Sequence, residues 1–422
     1  MIFYKEVDFR EDKIGRLPSE WQIVKLGTIA EIRGNKRIQS FNTIAFIPMK
    51  LVSESQILVQ YEIRRREDVK SYTYCEAGDL LLAKITPSLE NGKQGIVPSD
   101  VPGGFALATT EVFPICCKQM DASFLFYLLK FPKYRNKVIS SMTGTTGRQR
   151  ASKIGVTKLE IPLPYPYEQK KIVEVLSCVD LAIQKTDEVI AKTERLKKGL
   201  MQELLTNGIG HKEFKDTEIG KIPKKWDLVR LKNVVEINKE SRDPSKDMPE
   251  RNFLYVDIDS IERGTGKIGD SKTILGIKAP SRARRVIHEN DVIMSTVRPY
   301  LKAFAIIPKE YEDQICSTGF AVLSSTKKIL SYFLLTILFS DQTMNQCNRM
   351  MMGGQYPALN ESQVSKIKIP LPPLSEQERI AEIFLALDDK LELEKQEKEG
   401  LERIKQGSMD LLLTGKVRVN VD

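Results

Sequence analysis

Histidine is nearly missing from this chain: His211 and His288 are the only two among 422 residues, and they stand far apart. The six cysteines, at 75, 116, 117, 178, 316 and 347, include no Cys-x-x-Cys pair. Together these shortages argue against a zinc site and against a disulfide framework. Adjacent Cys116 and Cys117 are read as half-buried small hydrophobes. No run of 18 apolar residues occurs, which excludes a helical membrane span. Met1-Ile2-Phe3-Tyr4-Lys5-Glu6 has no signal-peptide pattern, so a cytoplasmic protein is expected. With no recognisable nucleophile or metal constellation either, an enzyme is the least supported reading. Gly264-Thr265-Gly266-Lys267 imitates part of a phosphate loop. Ile261 stands where the first glycine belongs and Ile268 follows the lysine, so a turn is predicted there.

What is present is ordinary for a globular protein, with 41% hydrophobic and 29% charged residues, in a chain long enough for two or more domains. The organising feature is a repeated stretch. Residues 161 to 206 start with Ile161-Pro162-Leu163-Pro164, pass Glu168-Gln169 and run on without proline to Thr206. Residues 369 to 414 repeat the pattern 208 positions later: Ile369-Pro370-Leu371-Pro372, Glu376-Gln377, then a helical run to Thr414. Proline before the start and none inside is the signature of a helix, because an interior proline removes a donor and clashes with the preceding turn. Apolar Ile172, Leu176, Val179 and Ile183, and again Ile380, Phe384, Leu387 and Leu391, step by four, three and four. That is the seam of a coiled coil, and Leu196 and Ile404 continue the apolar series. Thirty-nine residues from Glu168 to Thr206 span roughly 58 Å at about 1.5 Å each, and the nearest partner is the other copy. The alternative, in which each helix lies on the core of its own domain, has the proline-flanked entry, the length and the shared register against it.

A second repeat opens each half. Phe9, Ile14-Gly15, Pro18, Trp21, Leu26 and Glu31-Ile32 return as Phe214, Ile219-Gly220, Pro223, Trp226, Leu231 and Glu236-Ile237. Both tryptophans of the protein occupy this one equivalent place, which reads as a packing anchor. The middles are less alike. Gly78 to Pro87 faces Asn290 to Pro299, and Thr109 to Phe113 faces Ser317 to Ala321, in short apolar strands broken by glycine. One apolar helix follows in each half, at Ala122 to Leu129 and Ile329 to Phe339. A polar glycine-containing loop then precedes each long helix: Thr143 to Arg150, and Gly353-Gly354-Gln355-Tyr356. The predicted order is globular domain 1–164, helix 165–207, globular domain 208–372 and helix 373–422. The net charge of +9 is unevenly spread: the two helices sum to −5, leaving the globular parts near +14. Basic globular parts on a neutral-to-acidic rod suggest a polyanion partner for the former.

In the Ile-Pro-Leu-Pro…Glu-Gln motif at 161–169 and 369–377, and the Ile-Gly-x-[Leu/Ile]-Pro-x-x-Trp entrance at 14–21 and 219–226, the chain resembles the specificity subunit of type I restriction-modification enzymes. The resemblance covers essentially the whole sequence. It implies an α+β fold: two similar target recognition domains, each a small curved sheet with helices, separated by two long antiparallel coiled-coil spacer helices. It implies double-stranded DNA as ligand, each domain reading half of a bipartite target with the helix pair fixing the gap. It further implies two modification subunits that methylate adenine, with restriction subunits assembled through them. S-adenosylmethionine, ATP and magnesium would belong to those partners, and no cofactor to this chain. Accordingly, no Asn/Asp-Pro-Pro-Tyr/Phe methyltransferase motif and no cofactor glycine fingerprint is found in the sequence.

Phosphate and base contacts call for Lys, Arg, Asn and Gln near glycine-bearing loops. In the first domain the candidates are Arg33, Lys36, Arg37, Lys84, Lys93, Gln94, Arg148, Gln149, Arg150 and Lys153. In the second they are Lys239, Arg242, Lys278, Arg282, Arg284, Arg285, Arg298, Tyr300, Lys302, Gln355 and Tyr356. Arg282 to Arg285 would serve equally as a phosphate clamp without base contact. Two other readings stay open at this stage: a DNA-binding protein outside any restriction system, and a coiled-coil adaptor that binds proteins through both β-rich domains.

Overall fold

The computed structural model describes residues 2–38, 41–145, 147–351 and 357–420, with only the backbone for Ile2 and Asn420. Two compact units result. One comprises residues 1–188 with 395–422, the other residues 189–394. The cut falls inside both long helices, Pro166–Leu204 and Leu374–Leu413, so each unit holds a globular domain with one end of each helix.

Each domain carries two four-stranded sheets where one small sheet was expected. In the first, Gln94–Ile96, Leu80–Ala83, Val112–Cys117 and Ala30–Ile32 lie side by side in that order, all antiparallel. The other sheet runs Glu62–Arg65, Thr43–Ile47, Phe105–Ala108, Thr73–Glu76, with its central pair parallel. The second domain repeats both orders and the parallel pair: Phe304–Ile306, Val292–Ser295, Phe320–Ser325, Val235–Ile237, and Lys272–Leu275, Asn252–Val256, Gln314–Ser317, Ala283–Ile287. Halves that agree poorly in sequence therefore agree in topology. Leu80 to Ala83 and Val292 to Ser295 are buried throughout, because these strands are covered on both faces. Leu81, Val112 and Ala106 fill the space between the first domain's sheets, and Ile293, Phe320 and Cys316 do so in the second. The apolar helix Ala122–Lys130, capped by the Asp121 carboxylate, buries six consecutive residues from Phe124 to Leu129. Helix Ser331–Leu338 does the same in the second domain.

The repeated motifs have structural reasons. Glu160–Leu163 is a strand paired with Gln22–Lys25 just after Trp21, and Lys368–Leu371 pairs with Asp227–Arg230 after Trp226. The Ile-Pro-Leu-Pro segments thus belong to the domains, and the helices begin beyond them. The indole N–H of buried Trp21 donates to Glu168 Oε2 at 3.0 Å, and that of buried Trp226 to Glu376 Oε2 at 2.9 Å. Gln169 accepts from the Asp121 N–H at 2.9 Å and donates to the Pro164 carbonyl at 2.8 Å. Gln377 accepts from Leu330 N–H at 3.0 Å and donates to Pro372 at 2.9 Å. Each Glu-Gln pair therefore locks the start of a long helix to the tryptophan and to the loop before the apolar helix. The tryptophans are the packing anchors they were read as.

The long helices run antiparallel. In the first unit Lys405 meets Asp180 and Lys398 meets Asp187, so one helix descends as the other climbs. In the second unit Lys197 meets Asp388, the repeat of the Asp180 pair. The apolar seam is shared with the domains. Ile172 and Leu176 are buried in the first domain's core beside Met409, Leu412 and Leu413, and Ile380 and Phe384 lie in the second core beside Leu204. Val179, Ile183 and Leu387 are half-buried and Leu391 is buried. Leu196 and Ile404, expected to continue the apolar series, are exposed, while Thr186 and Thr193 are buried. Both readings of the helices are thus partly right: their ends lie on domain cores and their flanks pair with each other.

Candidate nucleic-acid interface

At the end of each central strand the chain builds the same small frame. In the first domain Ile85 bridges Arg150, Lys84 N–H donates to Glu111 O, Thr86 N–H to Gln149 O and Ala151 N–H to Lys84 O. In the second domain Val297 bridges Ala358, Thr296 N–H donates to Gly319 O, Arg298 N–H to Pro357 O and Leu359 N–H to Thr296 O. These are corresponding positions, so the polar loop before each long helix is strapped to the same strand end by the same bonds. Apart from the aliphatic pair Ile85 and Val297, side chains on the frame differ: Lys84, Thr86, Glu111 and Arg150 on one, Thr296, Arg298, Gly319 and Ala358 on the other.

On the first frame Arg150 donates to Glu111 Oε1 at 2.8 Å, and Thr86 Oγ1 donates to Glu90 Oε1 at 2.7 Å. Burial pulls the Lys84 ammonium below its ordinary value, opposed by Glu111 and assisted by Arg150. Its ammonium lies 5.2 Å from the Phe113 ring centre. On the second frame Arg298 and Lys302 both take left-handed backbone conformations, with φ of 48° and 55°, around the single turn Pro299–Leu301. Non-glycine residues pay for that region, and such strain clusters where a side chain must be aimed. Lys302 donates to the Phe339 carbonyl at 2.9 Å.

The remaining candidates divide by what they touch. Arg148, Lys153, Arg37, Lys278, Arg282 and Tyr300 are exposed, and Gln149 is half-buried. Lys36 pairs with Glu76 at 2.8 Å, Lys239 with Glu236 at 3.1 Å, and Lys93 reaches the Met49 carbonyl at 3.3 Å. Arg242 sits between Glu240 and Asp313, both at 2.8 Å, Arg284 meets Asp243 at 3.3 Å and Arg285 approaches Glu361 at 3.9 Å. Arg33 is engaged by Asp79 at 2.6 Å and by Glu76 at 2.9 Å, tying the Ala30–Ile32 strand end to the tight turn at Gly78. Gln94 requires correction. Its side chain is wholly buried and its amide donates to the Phe126 carbonyl at 2.6 Å, fastening a sheet to the apolar helix, because the strand Gln94–Ile96 turns that face inward. Gln355 and Tyr356 lie outside the described residues. The sequence candidates are all donors, and the acidic residues that meet the first frame, Glu90 and Glu111, are not among them. The phosphate-loop look-alike is a hairpin turn between Ile261–Glu262 and Lys267–Ile268, with Gly264 and Gly266 at positive φ.

Among the described residues there is no cluster able to hold a metal ion, and no helix is long and apolar enough to cross a membrane. Two modules of one topology, each bearing a differently dressed loop frame and each fused to the ends of two long helices, define a recognition protein. Comparison with known proteins agrees. The model of the type I restriction modification DNA specificity domain matches residues 18–195 and 223–403. The type I restriction enzyme MjaVIII specificity subunit of Methanocaldococcus jannaschii is 30% identical, over 99% of this chain and 98% of that protein. The EcoDI specificity subunit of Escherichia coli is 25% identical over 94% and 88%. Among solved structures, a chain of a type I R-M system aligns with a TM-score of 0.59 at 19% identity, covering 95% of this chain and 99% of that one. The S subunit from M. genitalium aligns at 0.56 and 15%, covering 96% and 97%. These two show a shared fold. The chain belongs to the family of type I restriction-modification DNA specificity subunits.

Proposed function

We propose that each domain reads one half of a bipartite DNA target and that the antiparallel helix pair sets the gap between the halves. The supporting observation is the pair of frames, alike in four backbone contacts and unlike in every polar side chain, as two readers of different half-sites would be. The chain itself is non-catalytic. It directs two modification subunits, which bring S-adenosylmethionine and methylate adenine, and through them restriction subunits that use ATP and magnesium. Exposed Arg148 and Lys153 in the first domain, with Lys278 and Arg282 in the second, supply contacts to phosphate or base edges.

Selection of bound duplexes from a random pool, with the chain alone and with its modification subunit, tests this reading. A two-part motif with a fixed gap is expected, with affinity falling steeply as salt rises. Enrichment of nothing at low salt under both conditions would favour a protein-binding adaptor, and a chain that enriches a motif yet binds no modification subunit would be a regulator. Removing one heptad from both helices shortens them by roughly 10 Å at about 1.5 Å per residue, or about three base pairs at roughly 3.4 Å each. The preferred gap then shortens, or binding fails because the half-sites rotate. An unchanged gap would sink the ruler.

A further inference from the structure

A carboxylate on a DNA-reading frame is costly unless it has a use. Glu111 lies beneath Arg150, its side chain 23% exposed against 64% for the arginine. One oxygen, Oε1, accepts from Arg150 at 2.8 Å and more weakly from the Thr110 hydroxyl at 3.4 Å, while the other, Oε2, is buried with no hydrogen-bond partner among the described residues. A carboxylate repels phosphate and cannot accept from it. At a base edge in the major groove it accepts from an exocyclic amino group, N4 of cytosine or N6 of adenine. A guanidinium beside it is the complementary tool, donating to guanine O6 and N7. The second frame has neither: Gly319 and Ala358 stand at the corresponding positions.

We propose that Glu111 and Arg150 are the specificity-determining pair of the first domain, Glu111 accepting from the amino group of a cytosine or adenine and Arg150 donating to a neighbouring guanine. The inference rests on the proposed reading of DNA by these domains. In the free protein the ion pair holds Arg150 on the frame and screens the Glu111 charge from approaching phosphates. On the right sequence both groups exchange that contact for base edges. On a wrong one Glu111 loses its partner and faces a carbonyl oxygen or a methyl group. The first half-target then contains a guanine next to an amino-bearing base, and the second half has no position read by a carboxylate at this place.

The test is duplex selection with the full chain bound to its modification subunit, comparing the native protein with Glu111→Gln and Arg150→Ala. Glutamine presents a donor as well as an acceptor, so Glu111→Gln is expected to cut discrimination at one amino-bearing position of one half-site by about tenfold. The other half-site stays unchanged, which reports that the variant is folded. Arg150→Ala is expected to lose guanine preference at the adjacent position while keeping the amino-base preference. Uniform weakening across all sequences in either variant, or a first-half motif that neither variant alters, would overturn the pair. Absence of any bipartite motif for the native protein would instead remove the underlying reading of the domains. If Glu111→Gln abolishes both half-site preferences by misfolding, Arg150→Ala alone decides, since it leaves the carboxylate in place.

Discussion

The two domains solve the same anchoring problem with different chemistry. Each sets a glutamate at the start of a long helix under a tryptophan, Glu168 buried and Glu376 half-buried. In the first unit Glu168 is also gripped by Arg418, 2% exposed, which reaches Glu6 and Glu20 as well. Arg418 comes from the strand Val417–Asn420, paired antiparallel with Ile2–Lys5, so the two ends of the chain close that corner. In the second unit Glu376 is held by the His211 ring at 2.9 Å and the Ile209 N–H at 2.9 Å. A permanent cation shared among three carboxylates anchors one domain, and an imidazole ring with a backbone amide anchors the other. The scaffold thus tolerates exchange of partners while keeping the carboxylate and the indole. The same economy holds at the frames, where backbone bonds are kept and side chains exchanged.

The largest expected effects are those common to both domains. Trp21→Ala and Trp226→Ala should each cost about 3–5 kcal/mol by opening a cavity under the helix start. Amide hydrogen exchange should show lost protection confined to the mutated unit. Next come the partners that differ. Arg418→Met strands a buried carboxylate and should cost about 3–5 kcal/mol. His211→Leu should cost only about 1–3 kcal/mol, because Glu376 keeps the indole and the amide. Equal losses in the two would break the contrast. Smaller again are Tyr127→Phe and Tyr332→Phe, which remove hydroxyl bonds to Asp180 and Asp388. Burial and these carboxylates hold both phenols far above their ordinary range. About 1 kcal/mol is expected in each, and matching values would confirm that the helix-to-domain joint is a true repeat.

Much of this architecture was legible in the sequence because it rests on local signals. Proline-free helical runs and the tryptophan entrances each lie within short windows, their recurrence in the second half marks them as repeats, and the structure honours them with helices at Pro166–Leu204 and Leu374–Leu413. The frames were not legible. Their bonds join residues far apart in sequence, such as Lys84 with Glu111 and Ile85 with Arg150, and nothing in a short strand announces a partner. Gln94 was misplaced because a three-residue strand gives no period by which to tell an inward face from an outward one. Leu196 and Ile404 misled in the opposite way: an apolar residue at helical spacing satisfies the pattern whether or not a partner covers it. Glu111, proposed above to read a base, is absent from the sequence candidates because those were all hydrogen-bond donors: Lys, Arg, Gln and Tyr.

The last contrast is set by pH. Asp79 and Asp291 hold corresponding turns, each accepting from a backbone N–H three residues earlier, that of Glu76 at 2.8 Å and of His288 at 2.9 Å. The first turn is braced by Arg33, which does not titrate. The second is braced by His288, whose ring meets Glu312 at 2.8 Å and Glu240 at 3.3 Å. Burial works against its charge, but the bonds to Glu312 and Glu240 prevail and raise its pKa above 6.5. A raised folded pKa means that the imidazolium stabilises fully below the unfolded value and that the contribution disappears as pH climbs through the folded one. Glu312, held low by the Glu289 N–H and then by His288, stays ionised throughout that range. Raising the pH from 6 to 8 should therefore lower the protection factors of amides in strands Ala283–Ile287 and Gln314–Ser317, rates being corrected for the base catalysis common to all amides, while leaving those of Thr73–Glu76 and Phe105–Ala108 unchanged. His288→Phe should abolish the pH dependence. A first domain that loosened equally would show that the two turns, despite their different braces, are governed by something they share.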